Sequence, residues 1–168
     1  MRLGDRMSRL CLMLCRLCLA AWFGAGVLFL GIVLGLRNSL LFSDEVRFNH
    51  PRVLFPPYYS LELPLLIVAT LTACLAVKTN TSATGRKSLV VVAVFSTVAL
   101  AGALIDYVAV YRPLSAMLES QVLTQQFVTL HHASRWINTA VLLLCGLAAG
   151  WACWIEPRPA TEQTAANS

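Results

Sequence analysis

Four long apolar runs divide the chain. Leu17 to Leu36 holds no formal charge, residues 57–77 hold only Glu62, residues 88–111 are uncharged up to Asp106, and Trp136 to Ile155 is again uncharged. A helix rises about 1.5 Å per residue, so about 20 mostly apolar residues cross the hydrocarbon core of a bilayer. Each run meets that length. The Val-Val-Val stretch at 90–92 suggests a strand in water, but a lone strand in lipid leaves its backbone hydrogen bonds unmade, whereas a helix satisfies its own. The pattern therefore predicts four transmembrane helices, over about 17–36, 57–77, 88–111 and 133–155. Polar stretches at 37–56, 79–87 and 113–130 read as loops. Residues 1–16 read as a basic cytoplasmic N-terminus, and 156–168, polar and Pro-rich, as a disordered cytoplasmic tail. The expected fold class is all-α, an integral membrane four-helix bundle with both termini cytoplasmic.

Composition agrees with this reading. Of 168 residues, 58% are hydrophobic and 12% charged, against about 45–50% and about 25% in soluble domains. A mean hydropathy of +0.70 excludes a disordered chain, which needs high charge and low hydrophobicity. The net charge of +5 is explained by topology, because Lys and Arg are retained on the cytoplasmic side. Arg2, Arg6, Arg9, Arg16, Lys78, Arg86, Lys87 and Arg158 fall on one face, while Arg37, Arg47, Arg52, Arg112 and Arg135 fall on the other. A multi-pass membrane location with both termini on the cytoplasmic side follows, with the bilayer as the first partner and no role for nucleic acid. The first apolar run is too long for a signal peptide and continues past each candidate small residue, so it reads as an uncleaved crossing. The sequon Asn80-Thr81-Ser82 then faces the cytoplasm and stays unmodified.

Cys11, Cys15 and Cys18 share a helix face. They are read as small apolar residues at a helix seam, with a site for a soft monovalent metal as the alternative; the metal assignment is left unknown. Gly24, Gly26, Gly31 and Gly35 read as points of close helix approach. Tyr58, Tyr59, Tyr107, Tyr111 and Trp136 read as an outer aromatic belt, with Trp151 and Trp154 at the inner boundary.

Ionisable groups inside crossings are costly and face the protein interior. Here they gather in the outer leaflet: Glu62, Asp106, His131, Ser134, Arg135 and Asn138 form the candidate binding cluster. Residues 131, 134, 135 and 138 share one helical stripe, and His132 points about 100° away. Glu62 suits the N-terminus of its own helix, behind a cap at Ser60. Asp106 and Arg135 each sit at the wrong end of their helix for its dipole. An Asp106–Arg135 ion pair is therefore expected, with His131 in reach.

The stretch Q-Q-F-V-T-L-H-H-A-S-R-W-I-N (125–138) resembles the F-x-x-L-H-x-x-S-x-x-x-N signature of a bacterial membrane family, the domain of unknown function 4149. That family is similar to the eukaryotic transmembrane proteins of the 205 type. A-W-F-G-A-G-V-L-F (21–29) and R-V-L-F-P-P-Y-Y-S-L (52–61) resemble its W-x-G and F-P-x-Y-Y elements. The resemblance implies a four-helix membrane protein with His131, Ser134 and Asn138 as the family's polar positions. His132 departs from it, standing where the family favours Gly. It implies no activity.

No nucleophile–base pair, catalytic residue or cofactor motif is legible, so the expected function is a non-enzymatic membrane subunit or stability factor, in a homo-oligomer or with a membrane-protein partner. The alternative is a small ion, proton or metal transporter or channel using the polar cluster. A membrane enzyme or redox subunit is the weaker third reading.

Overall fold

The computed structural model describes residues 3–41, 43–80, 83–120 and 125–155. It contains α1 (Leu3–Asn38), α2 (Asp44–Thr79), α3 (Ala83–Ile105), a π-helical turn (Asp106–Tyr111), α4 (Arg112–Glu119) and α5 (Gln125–Trp154). The π turn joins α3 to α4 without a break, so the chain forms four rods. All four are long and apolar enough to cross a membrane. The protein is a multi-pass membrane helical bundle.

The rods are longer than the hydropathy runs. Helices α1 and α2 have 36 residues each, about 54 Å at the helical rise, so both protrude beyond a hydrocarbon core of about 30 Å. The basic segment expected as a separate N-terminus is helical from Leu3 and continuous with the first crossing. The region 37–56, expected as a loop, is largely helix: Ser43 caps α2 by accepting from the Val46 amide at 3.4 Å. Helix α2 then carries Pro51, Pro56, Pro57 and Pro64 in its interior. Proline ends helices in water because it lacks an N–H and crowds the preceding turn; in membrane helices neighbouring groups re-satisfy the freed carbonyls. The Ser60 hydroxyl donates to the Pro57 carbonyl at 2.8 Å, within the same turn of the helix. Ser60 is therefore mid-helix, and the expected cap at that position does not form. The region 113–130 likewise contains α4 and the first turns of α5. The tail 156–168 and residues Thr81 and Ser82 of the sequon lie outside the described residues.

Helix α1 packs on α2, α2 on α3, α3 on α5 and α5 back on α1. The buried positions explain this ring. On α2 the most deeply buried are Tyr59, Glu62, Leu66, Ala69, Ala73 and Ala76; on the α3 rod they are Leu89, Val92, Ser96, Ala99, Ala103, Asp106 and Val110. Both sets alternate steps of three and four. That is the heptad spacing of helices packed at shallow left-handed angles. At the end carrying both termini, the seam is small and dry: Cys11, Cys15 and Cys18 of α1 meet Ala69, Ala73 and Ala76 of α2 and Ala148 and Ala152 of α5. The three cysteines are buried free thiols within that seam, and among the described residues no group of His, Cys, Asp or Glu is placed to hold a metal ion. Arg16 closes this end by donating from Nε to the Ala152 carbonyl at 2.8 Å, and from its other nitrogen to the Ile155 carbonyl. It satisfies acceptors that a helix C-terminus leaves open and sits at the dipole's negative end.

The glycines divide by surroundings. A Cβ on Gly26 would lie 2.7 Å from Leu142, whereas Gly24, Gly31 and Gly35 have nothing within 4 Å. Close approach applies only to Gly26 of the four. Replacing Gly31 or Gly35 by Ala is expected to leave stability unchanged or raise it by up to about 1 kcal/mol, since Ala is the better helix former. Gly26→Val is expected to cost about 1–3 kcal/mol through overpacking. Unfolding in mixed micelles, titrated with a denaturing detergent, checks the ranking.

Candidate functional site

The polar groups gather in the half of the bundle away from the termini, at the level where α3 passes into the π turn. Such turns widen one step of the helix and recur at functional sites. Here the turn begins at Asp106, which is fully buried. Its Oδ2 accepts three hydrogen bonds: from Tyr59 Oη at 2.5 Å, from Asn138 Nδ2 at 2.6 Å and from Ser134 Oγ at 3.2 Å. Asn138 in turn accepts from Tyr58 Oη at 2.8 Å through its Oδ1 and donates to the Ser134 carbonyl at 2.9 Å. The network joins α2, the π turn and α5 through side chains, and the Tyr58–Asn138 bond spans two rods that are not neighbours in the ring.

The expected Asp106–Arg135 ion pair does not form. Neutral donors occupy Asp106, and Arg135 is exposed. The reason is helical phase: Ser134 and Asn138 lie four apart and face inward together, while Arg135 is turned about 100° from Ser134. His131 is exposed as well and gives no hydrogen bond to Asp106. The six candidate residues thus separate into an interior group, the buried Glu62, Asp106 and Ser134 with the half-buried Asn138, and an exposed pair, His131 and Arg135.

Glu62 is the least expected of these. It lies one turn beyond Tyr58 on α2, fully buried, and among the described residues neither carboxyl oxygen has a hydrogen-bond partner; Asp106 Oδ1 has none there either. A buried polar group without a partner costs free energy in protein and more in lipid. The placement of Glu62 near a helix start is therefore corrected: it is an interior acid, and no helix N-terminus compensates it.

The tyrosines are also interior. Tyr59 is 2% exposed. Its ring packs against Tyr111 at 4.5 Å and Tyr107 at 5.2 Å between centroids. Tyr58 packs edge-on to Trp22 at 5.0 Å and lies 4.3 Å from Phe29. Tyr58 and Tyr59 were expected in a lipid-facing belt; burial sends both hydroxyls to partners, as buried tyrosines require. Trp136, 75% exposed, alone of the outer aromatics named above faces fully outward in the manner of a belt residue.

A cavity of about 190 Å³ opens between α1 and α5 beside this network. Gly26, Phe29, Leu30, Val33, Phe55 and Leu142 form its apolar walls, and Tyr58, His131, Ser134, Arg135, Asn138 and Thr139 its polar side. The stripe at 131, 134, 135 and 138 lines one cavity as its spacing implied, and His132 lies off it. Compared with known proteins, the chain matches no family model, no curated protein and no solved structure.

Proposed function

We propose that the protein is a non-enzymatic component of a bacterial inner membrane, with both termini cytoplasmic, acting as a subunit or stability factor whose outer-half polar network locks three helices in register. The observation that carries this reading is the convergence of donors from two other rods on one oxygen of Asp106. Polar bonds between membrane helices hold them together and select one packing. The closed seam of Cys15, Leu19, Ala69, Ala73 and Ala148 toward the termini, each at most 1% exposed, supports a lock over a conduit. Membership of the domain of unknown function 4149 family is part of this proposal and rests on residues 125–138.

A second reading, a proton or cation site within the same bundle, is favoured by Glu62, because a lock makes no use of a buried acid whose oxygens accept no hydrogen bond among the described residues. Reconstitution separates the two. With the full chain in vesicles containing a pH-sensitive dye, the lock reading expects proton and monovalent-cation flux no higher than in empty vesicles. Flux in the wild type that Glu62→Gln abolishes overturns it in favour of transport.

A further inference from the structure

The exposed half of the polar cluster has no role in the lock. His131 and Arg135 stand at the mouth of the α1–α5 cavity, and Arg37, at the end of α1, lies within electrostatic reach of His131 together with Arg135. Neither Arg37 nor Arg135 has an ion-pair partner among the described residues. An unpaired cationic mouth attracts an anion. Below it the two walls differ in character. Along α5 the lining passes from Arg135 to Asn138 and Thr139, an apolar wall of Leu30 and Val33 on α1 faces it, and Leu142 packs against Gly26 beneath. Because α1 and α5 are antiparallel neighbours, Arg37 is level with His131 and Gly26 with Leu142.

A cationic mouth, hydrogen-bonding groups on the α5 wall and hydrocarbon on the α1 wall match phosphate, glycerol ester and acyl chain. We propose that this cavity is a binding site for one anionic phospholipid, with its phosphate at Arg37 and Arg135, its ester region against Tyr58 and Thr139, and a chain between α1 and α5. Basic pockets between membrane helices bind acidic headgroups by the same physics. The bound lipid covers the cavity side of the Asp106 network and packs on the apolar wall of α1 above the Gly26–Leu142 contact. The proposal is independent of whether that network is a lock or an ion site.

The test uses the full-length protein in mild detergent, titrated with phosphatidylglycerol or phosphatidylcholine and read by native mass spectrometry. The expected result is one phosphatidylglycerol retained in preference to phosphatidylcholine, with affinity falling about fivefold for each of Arg37→Gln and Arg135→Gln. Val33→Trp, which fills the cavity from its apolar wall and keeps every charge, is expected to release the lipid. Arg112→Gln, an exposed arginine at the same end but outside the cavity, should retain it. Equal retention of the two lipids, equal loss in Arg112→Gln, or displacement by inorganic phosphate as effective as by phosphatidylglycerol would each overturn the proposal, the last by showing an anion site without a lipid requirement.

Discussion

Asp106→Ala is expected to destabilise the bundle by about 3 kcal/mol, the largest loss from any single polar substitution in the chain. The carboxylate is the common acceptor for Tyr59, Ser134 and Asn138. Truncating it leaves Tyr59, 2% exposed, with a buried hydroxyl and no acceptor, and Asn138 with an amide aimed into the gap. An orphaned buried donor costs about 1–3 kcal/mol. Hydrogen bonds measured between membrane helices average less, about 0.6 kcal/mol each, because the unfolded chain in lipid also finds partners; the cost of three converging bonds plus a cavity therefore sits near the low end of the additive range. For a chain of this size about 3 kcal/mol corresponds to roughly 6–12 °C in Tm. Asp106→Asn keeps an acceptor oxygen and should lose less than half as much. Adding Asn138→Leu to Asp106→Ala should cost little more, since both act in one network and their effects are not additive. Thermal unfolding in mild detergent measures all three; an Asp106→Ala protein within about 0.5 kcal/mol of wild type would remove the lock from the account.

Why that carboxylate was assigned the wrong partner is instructive about what a sequence carries. The four crossings were legible because an apolar run in lipid has only the helix available to it. Their ends were not, since Pro51, Pro56 and Pro57 are breakers by the rules of water, and α2 runs through all of them. A helix start at residue 57 makes Ser60 a cap and Glu62 a dipole-stabilised first-turn acid, and both expectations lapse together because α2 starts at Asp44. The stripe at 131, 134, 135 and 138 was legible from spacing alone, yet spacing does not say which edge of a stripe turns inward. Charge matching chose Arg135; packing chose Ser134 and Asn138. A better signal was present on α2. Ala69, Ala73 and Ala76 define a small-residue seam, and stepping backward from it by three and four reaches Leu66, Glu62 and Tyr59, all of them buried. Following the heptad through the prolines would have put the acid and the tyrosine in the core.

The seam that places Glu62 in the core also makes it the most informative position to change, because Glu62→Leu is expected to stabilise the protein. The residue is fully buried and its two oxygens lack hydrogen-bond partners, so the folded state bears the cost of desolvating a carboxyl with no compensating bond. Leucine has nearly the same volume, continues the apolar seam toward Leu66, and asks for no partner. Replacement of poorly compensated buried ionic groups by well-packed apolar ones is neutral to stabilising, by about 1–4 kcal/mol, and a rise of several degrees in Tm is the expected reading. Glu62→Gln, still polar and still without partners, should gain less. The reverse result has an equally definite meaning: if Glu62→Leu unfolds more easily than wild type, the carboxyl has partners that are not side chains of this protein, a bound cation or ordered water, and the ion-site reading displaces the lock. A stabilised variant that also loses cation or proton flux would place Glu62 among residues kept for function at the expense of stability, whereas a stabilised variant with no other change leaves it a cost the fold tolerates because Asp106, one helix away, holds the bundle together.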